Sequence, residues 1–305
     1  MIKVAILGGE SSLAGELIRI LLLHPEVELM AVSSDTRSGE TVRNIHYGLE
    51  GEREIRFCGQ PDLKDIDVLF VAEEIDGEQL RSMISNFPEM KIIGFRNIFE
   101  GLVNDDHDIA PALSEIYRKN LVRGAKYSYI LSPVSSLVLI ALFPLAKNLL
   151  LNDEMNIEVE CPSKLISDSL KEDDSEVISR ILNSIQQSFE EKIKIEYKPI
   201  DNNHDLRLKI RLKCNVDLDE VRGLYENVYD DHNFTFLSDR EVNFKDVSGN
   251  QKCIIHLSKS AKDVLEIDAV ADPMMRGGAG DAVHSMNLLL GLYEKIGLSF
   301  RAICR

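Results

Sequence analysis

Apolar and polar residues follow two different patterns along the chain. In the first part, short apolar segments that indicate buried strands alternate with segments of helical spacing. The predicted strands are IKVAILGG (2–9), VELMAVSS (27–34), DIDVLFVAEE (65–74) and KIIGF (91–95), and the predicted helices between them are AGELIRILLLHP (14–25) and GEQLRSMISNF (77–87). Strands that alternate with helices in this way predict a parallel sheet with right-handed crossovers.

Beyond residue 150 the pattern changes to strict alternation of polar and apolar residues. This alternation is typical of half-buried strands in a largely antiparallel sheet. The segments are MNIEVEC (155–161), KIKIEY (192–197), DLRLKIRLKC (205–214), KCIIHLS (252–258) and VLEIDAVAD (264–272). Helices are predicted near 174–190 and 217–229, and a long final helix over 278–297. The change of pattern places a domain boundary near 145–150, and we expect the last helix to return to the first domain.

Length, charge and cysteine usage narrow the class of protein. A chain of 305 residues favours two domains. A net charge of −16 argues against a nucleic-acid or anionic-membrane partner. The longest apolar run, near 137–146, is shorter than a membrane span. Five scattered cysteines predict reduced thiols and no metal site, and a strand at 3–8 leaves no room for a signal peptide. We therefore expect a cytoplasmic protein.

The glycine turn GGESSLAG (8–15) follows a strand and opens a helix, which is the setting of a dinucleotide-binding loop. Gly8 suits the tight turn, and the helix N-terminus suits a pyrophosphate. In the G-x-x-G-x-x-[GA] pattern, however, Ser11 stands at the middle glycine and Ala14 at the last position. A Cβ at the middle position crowds the ligand or disfavours a positive φ, whereas a serine hydroxyl can bind phosphate. The alternative is an ordinary strand–helix turn.

A polar segment after the second predicted strand offers two further cofactor contacts. Asp35 lies 20 residues beyond Gly15, where an acid commonly binds the ribose hydroxyls of NAD. Arg37 is placed to meet the 2′-phosphate of NADP instead. The alternative is that SSDTRSGE (33–40) is a solvated loop.

The stretch YSYILSPVSSLVLIALFPLA (127–146) is predicted to open with a small polar turn and to continue as an apolar helix over 135–149. In a two-domain dehydrogenase a nucleophile would sit on such a turn. Residues 132–136, which we call the serine turn, read Ser-Pro-Val-Ser-Ser and contain no cysteine, histidine or carboxylate.

Several segments together resemble N-acetyl-γ-glutamyl-phosphate reductase, a member of the aspartate-semialdehyde dehydrogenase superfamily. They are GELIRILLLHPEVEL (15–29), IHYGLEG (45–51), LNDE (151–154), KCIIHLSKS (252–260) and GGAGDAVHSMNLLLGLYEKIGL (277–298). The resemblance implies an α/β fold: a Rossmann-type, doubly wound parallel sheet of residues 1–146 plus 273–305. It also implies an α+β substrate and dimerisation domain of residues 147–272. The implied reaction belongs to arginine biosynthesis: a cysteine thiolate attacks an acyl phosphate, NADPH reduces the thioester, and a histidine acts as acid and base.

The family's catalytic motifs are not intact in this chain. Its Asn-Pro-Gly-Cys motif places either Pro133 or Ser135 at the cysteine, depending on a two-residue gap. Its His-x-His-x-Pro-Glu segment matches KEDDSEV (171–177), where Lys171 and Asp173 stand at the histidines. Cys161, in a segment that borders the family's active site, is the candidate to replace the nucleophile; the alternative is a buried, idle thiol.

The cofactor positions are better preserved, and the resemblance implies NADP or NAD. The candidate contacts are Gly8, Gly9, Ser11, Ala14, Gly15, Ser34, Asp35, Arg37, Gly277, Gly278 and Gly280. His46 is expected to be a structural, hydrogen-bonded loop histidine.

Together these observations predict a reductase-like protein that is impaired or inactive in the family reaction. One alternative is a non-catalytic binding or regulatory homologue that acts through a protein partner, such as a catalytic paralogue. Another is an oxidoreductase with a different mechanism, and a third is a fully functional reductase. The family's tendency to self-associate predicts a homo-oligomer, a dimer or a tetramer.

Overall fold

The computed structural model describes residues 1–99, 108–151, 155–166, 168–190, 193–201 and 204–302, without the side chains of residues 96 and 168–173. The chain divides into two compact units. Unit 1 comprises Met1–Leu131 and Gly278–Ser299, and unit 2 comprises Ser132–Gly277 and Phe300–Arg305. The domain boundaries at 146/147 and 272/273 stay a prediction beside this division.

The helices and strands alternate in unit 1 and are mixed in unit 2. The elements are, in chain order, β1 Ile2–Leu7, α1 Ser12–Leu22, β2 Val27–Ser33, β3 Phe57–Cys58, β4 Val68–Val71, α2 Gly77–Asn86, β5 Lys91–Phe95, β6 Ile109–Pro111, α3 Ser114–Arg123, β7 Tyr127–Ile130, α4 Pro133–Lys147, β8 Asn156–Pro162, α5 Asp168–Ile185, β9 Lys194–Ile200, β10 Leu206–Lys213, α6 Leu218–Tyr229, β11 Thr235–Ser238, β12 Cys253–Ala261, β13 Val264–Ala271 and α7 Ala279–Leu289.

Unit 1 is built on a seven-stranded sheet in the order β3-β2-β1-β4-β5-β7-β6. Every neighbouring pair in it is parallel. Its central strands are apolar and buried, as in β4, whose four residues Val-Leu-Phe-Val all lie in the core. The final helix, α7, packs on α1, α3 and the strands β5 and β7. This arrangement confirms the predicted Rossmann-type sheet and the return of the last helix.

Unit 2 contains a six-stranded sheet in the order β11-β12-β13-β10-β8-β9. The outer pairs β11–β12 and β8–β9 are parallel, and the three inner pairs are antiparallel. Alternation puts Leu208 and Ile210 of β10 in the core, while Arg207 and Arg211 lie on the other face and pair with acids of β13. α4 is almost wholly buried and packs against α5, α6 and the sheet. The predicted α+β domain is therefore confirmed as a fold.

Four elements were not predicted from the sequence, and two predictions about local structure were wrong. The missed elements are β3, β6, α3 and β11. Residues 127–130, predicted as part of a polar turn, form β7, because parallel pairing with β5 and β6 buries Tyr127 and Ser128. The final helix ends at Leu289 rather than near 297, since Gly291 adopts a left-handed φ of 68° just beyond its end.

Candidate functional site

The glycine turn of unit 1 needs glycine at its first two positions. Gly8 has a φ of +75°, and a Cβ there would lie 2.5 Å from Glu73 Cβ and 2.9 Å from the carbonyl carbon of Ala72. A Cβ on Gly9 would lie 2.4 Å from Val32 Cγ1. The end of β1 therefore passes β4 and β2 at distances that only a bare backbone allows.

Ser11 stands at the middle glycine position without straining the turn. Its φ is −69°, so a positive φ is not required there. Its Oγ accepts a hydrogen bond from the Ala14 N–H at 3.1 Å and donates one to the Gly8 carbonyl at 3.1 Å. Ser11 is thus the N-cap of α1, and its hydroxyl is used by the helix rather than left for a phosphate.

Gly15 allows a histidine to pack on the first turn of α1. A Cβ at Gly15 would lie 2.4 Å from His46 Nδ1. The other ring nitrogen, Nε2, donates to the Gly9 carbonyl at 2.6 Å. His46 is therefore a hydrogen-bonded loop histidine that supports the glycine turn, as the sequence predicted.

Glu10, at the third position of the glycine turn, connects this turn to the segment after β2. Its carboxylate accepts hydrogen bonds from Ser34 Oγ and, at 2.5 Å, from Thr36 Oγ1. Arg37 Nε lies 3.4 Å from the same carboxylate, and Arg37 Nη1 lies 3.2 Å from Glu40. These hydrogen bonds hold the pKa of Glu10 below its ordinary value. The structure thus brings Ser34 and Arg37, two predicted cofactor contacts, onto a carboxylate that sequence reasoning missed.

Negative charge accumulates at this edge of the unit 1 sheet. Glu73 follows β4, and its pKa is raised by desolvation and by the neighbouring charges of Asp35 and Glu10. Asp35 itself is exposed. A ligand at the glycine turn therefore meets a carboxylate-rich rim.

In unit 2, a buried carboxylate occupies the serine turn at the start of α4. Asp174 of α5 accepts hydrogen bonds at Oδ1 from Ser132 Oγ and, at 2.6 Å, from Ser135 Oγ. Its Oδ2 accepts from the Tyr197 hydroxyl at 2.8 Å. The Asp174 side chain is only 3% exposed. We call these four residues the Asp174 cluster.

The Asp174 cluster places a negative group at the positive end of a helix. Ser132 is the N-cap of α4, and its Oγ accepts from the Ser135 N–H at 3.0 Å. The partial positive charge of a helix N-terminus stabilises an anion placed there. Burial, followed by the charge of Asp174, raises the pKa of Tyr197, which therefore keeps its proton as a donor. The anion that this helix end stabilises is supplied by the protein itself.

The two candidates for the nucleophile position have structural roles here. Pro133 is the first residue of α4, where the missing N–H of proline costs the helix nothing. Gly277, with a φ of +68°, packs on it so closely that a Cβ would lie 2.4 Å from the Pro133 Cα and N atoms. Ser135 is bonded to Asp174. Cys161, the proposed replacement, is fully buried in β8.

The remaining predicted site residues lie away from the glycine turn and the Asp174 cluster, or have side chains outside the described residues. Gly278 is the N-cap of α7, and Gly280 is buried in its first turn. The side chains of Lys171 and Asp173 lie outside the described residues. Whether the predicted glycines contact a cofactor stays a prediction.

Sequence reasoning missed Asp174 and Tyr197, although one signal for Asp174 was present. Asp174, Val177, Ile178 and Ile181 are all buried. Their spacing of three, four and seven residues puts them on one helical face. That spacing marks Asp174, rather than its neighbour, as the acid that faces the core.

The described residues contain no cluster of three or more histidines, cysteines and acids arranged to hold a metal ion. None of the helices in this part of the chain has both the length and the apolar character that crossing a membrane requires.

Comparison with known proteins gives a consistent result. Residues 3–94 match the family model of the semialdehyde dehydrogenase NAD-binding domain. N-acetyl-γ-glutamyl-phosphate reductase of Parabacteroides distasonis is 32% identical over 99% of both chains. The reductase of Bacteroides thetaiotaomicron is also 32% identical, with the same coverage.

Solved structures support the same fold. Aspartate semialdehyde dehydrogenase II of Vibrio cholerae aligns with a TM-score of 0.71, covering 96% of this chain and 99% of that one at 14% identity. The Candida albicans enzyme with NADP aligns with a TM-score of 0.67, covering 97% and 99% at 13% identity. At such low identity these likenesses establish the fold alone.

Proposed function

The chain belongs to the N-acetyl-γ-glutamyl-phosphate reductase family, and we propose that it binds a nicotinamide dinucleotide but is impaired or inactive in covalent reduction of an acyl phosphate. The observation that carries the second part is the Asp174 cluster. The family motif places the catalytic cysteine at the N-terminus of α4. In this chain two serine hydroxyls, both bonded to the Asp174 carboxylate, occupy that end of the helix.

The backbone of the glycine turn fits a dinucleotide. Gly8 and Gly9 keep the end of β1 free of side chains, and α1 begins directly behind them. Backbone N–H groups at a helix N-terminus are suited to a pyrophosphate. When bound, a nicotinamide dinucleotide supplies or accepts the hydride. Gly8 and the first turn of α1 would receive the pyrophosphate, while Gly9 and Gly15 make room for the Val32 and His46 side chains that support the turn. Asp35, which is exposed beside Ser34, would face the adenosine ribose.

The serine turn does not offer the chemistry of a thiolate. A cysteine at a helix N-terminus ionises readily, and its thioester accepts hydride. Ser135 Oγ donates a hydrogen bond to Asp174 at 2.6 Å, but a carboxylate is too weak a base to deprotonate an alcohol. Ionising Ser135 would also place a second negative charge beside Asp174, which like-charge repulsion opposes. In a serine-based triad a histidine performs this deprotonation.

Cys161 is poorly placed to replace the missing nucleophile. It is fully buried, with a relative exposure of 0%, on a strand of the unit 2 sheet. A reactive cysteine is commonly part of an accessible, electropositive environment. Cys161 instead lies near the Tyr197 hydroxyl and, through it, near Asp174. This setting supports an idle thiol.

Binding and turnover are tested separately. Thermal denaturation with NADH and NADPH measures binding, since a ligand at 100 times its Kd adds about 2.7 kcal/mol to stability. Oxidation of the same cofactors with N-acetyl-γ-glutamyl phosphate measures turnover. We expect stabilisation by a dinucleotide and a rate at the buffer background. A turnover of about 1 s⁻¹ or more that is lost in Ser135→Ala or in Cys161→Ser would contradict the proposal.

Association with other chains is a further part of the proposal. A dimer or tetramer of this chain, or a complex with a catalytic paralogue, agrees with a role in binding rather than in turnover. Sedimentation of the protein alone and mixed with an active reductase distinguishes these states. A cytoplasmic location stays a prediction.

A further inference from the structure

The segment after β2 decides which adenosine ribose a dinucleotide-binding loop accepts. In this fold an acid there binds a 2′-hydroxyl, whereas an arginine binds a 2′-phosphate. This chain has both, Asp35 and Arg37, so the sequence leaves NAD and NADP equally open. The contacts of Glu10 separate the two.

Glu10 first offsets the charge of the phosphate-binding group. Arg37 Nε lies 3.4 Å from the Glu10 carboxylate, and Arg37 Nη1 lies 3.2 Å from Glu40. A 2′-phosphate at the guanidinium would share it with these two carboxylates, which offset its positive charge.

Glu10 also orients two hydroxyl groups. Ser34 Oγ and Thr36 Oγ1 both donate hydrogen bonds to the Glu10 carboxylate. Ser34 Oγ additionally accepts from the Arg37 N–H at 3.0 Å. Ser34 is buried, whereas Thr36 is exposed. An exposed hydroxyl whose proton is engaged in this way offers lone pairs to a ligand. A ribose hydroxyl can donate to such a lone pair, but a phosphate dianion has no proton to give.

The charge of the rim acts in the same direction. Glu10 and Asp35 both raise the pKa of Glu73, so the three carboxylates share one electrostatic environment. A 2′-phosphate adds about two negative charges to a ligand placed there, and like charges repel.

We propose that Glu10 makes this chain select NAD(H) over NADP(H), by pairing with Arg37 and by orienting the Thr36 hydroxyl as an acceptor. This inference rests on the proposed binding of a nicotinamide dinucleotide. It makes Glu10 a specificity-determining residue that acts by electrostatics and hydrogen-bond polarity.

The test measures the dissociation constants of NADH and NADPH by calorimetry, with no turnover required. We expect NADH to bind about tenfold or more tightly than NADPH, as repulsion between a dianion and nearby carboxylates at the protein surface suggests. Glu10→Gln keeps the size of the side chain but removes its charge, and it should lower that ratio several-fold by strengthening NADPH binding. Glu16→Gln is the matched control, since Glu16 pairs with Arg19 on α1. It should leave the ratio unchanged.

The possible failures are distinguishable. Equal or tighter binding of NADPH by the unmodified protein overturns the selectivity inference and leaves the proposed function standing. A ratio that Glu10→Gln does not change, or that Glu16→Gln changes equally, also overturns it. Absence of binding of both dinucleotides to all three proteins overturns this inference together with the proposed cofactor binding.

Discussion

The glycine turn of unit 1 and the serine turn of unit 2 both lead into the N-terminus of a helix. The first keeps the glycines of a dinucleotide-binding loop, whereas the second keeps the helix but contains no cysteine. In the glycine turn, Gly8 and Gly9 let the end of β1 pack closely on β4 and β2, and Ser11 replaces a glycine without straining the chain. In the serine turn, the α4 helix and its N-cap are intact, while Asp174 fills the end of the helix. The glycine turn keeps the backbone of a dinucleotide-binding loop, whereas the serine turn already holds a carboxylate of the protein itself.

Under the proposed function, this difference means that a fold can keep a binding backbone while a neighbouring helix end carries no reactive side chain. A helix N-terminus stabilises negative charge whether it comes from a thiolate, a phosphate or a neighbouring carboxylate. At α4 the carboxylate of Asp174 satisfies two serine hydroxyls and one tyrosine hydroxyl at once. The end of α4 is thus occupied by hydrogen bonds within the protein.

The serine turn is most easily broken at Gly277. A Gly277→Ala substitution forces a Cβ to 2.4 Å from the Pro133 backbone at a φ of +68°. Combining the strain at this φ with the overpacking, we expect a loss on the order of 3 kcal/mol in the free energy of unfolding. Denaturant titration measures it.

Gly223→Ala is the matched control, because a Cβ there meets nothing within 4 Å and the residue lies inside α6. It should stabilise the protein by about 0.5–1 kcal/mol. Equal effects of the two substitutions would show that the close contact between Gly277 and Pro133 does not exist.

Removing the Asp174 carboxylate should have the next largest effect. Asp174→Ala leaves the hydroxyls of Ser132, Ser135 and Tyr197 without this acceptor, which we expect to cost about 2–3 kcal/mol. Asp230→Ala, at an exposed acid just after α6, is the control and should change stability by less than about 0.5 kcal/mol. A loss no greater than that of the control would argue against the Asp174 cluster.

Tyr197→Phe sharpens the comparison by removing one donor and keeping the ring. The Asp174 carboxylate retains its two serine donors, so we expect a smaller loss of about 1 kcal/mol. In the background of Asp174→Ala the same substitution should have little effect, since the acceptor is gone. Full additivity of the two losses in a double-mutant cycle would contradict a direct bond between Tyr197 and Asp174.

The smallest effect concerns a histidine of unit 1 that burial keeps neutral. His24 Nε2 donates to Asn287 Oδ1 at 3.1 Å, and His24 Nδ1 accepts from the Glu26 N–H at 3.3 Å. Desolvation lowers the pKa of His24 below its ordinary value of 6.5. Below that pH the unfolded chain binds more protons than the folded one, so stability falls as the pH falls.

The pH dependence is measured by denaturant titration at a series of pH values between 7.5 and 5. His24→Gln should weaken the loss of stability over this range. Gly223→Ala, which alters no titrating group, should keep the same loss as the unmodified protein. An unchanged pH dependence in His24→Gln would mean that His24 protonates equally well in both states.

The fold was largely predictable from the sequence, and the reasons are local. Strands such as β4 are apolar at every position because a parallel sheet buries both faces. β10 alternates because only one of its faces is buried. β7 was missed since its four residues include two tyrosines and a serine, and their burial depends on pairing with β5 and β6.

The sites were less predictable because their contacts join residues that are distant in sequence. Ser34 and Thr36 lie 24 and 26 residues from Glu10. Asp174 reaches back 39 residues to Ser135. The motif comparison considered Lys171 and Asp173; the helical spacing marks Asp174 as the inward-facing acid, but it does not say which residues Asp174 meets. The sequence shows that the serine turn contains no cysteine, but it does not show that Asp174 bonds to Ser132 and Ser135.

The central claim, that Asp174 holds the end of α4 in place of a nucleophile, is tested most directly by the ionisation of a thiol placed there. In a Ser135→Cys variant, the rate of iodoacetamide alkylation at residue 135 is followed against pH by mass spectrometry, with and without Asp174→Asn. We predict that the carboxylate holds the thiol pKa above its ordinary value of about 8.5, and that Asp174→Asn lowers it. A thiol pKa below the ordinary value with Asp174 present, unchanged by Asp174→Asn, would contradict the account and show a turn still able to activate a nucleophile.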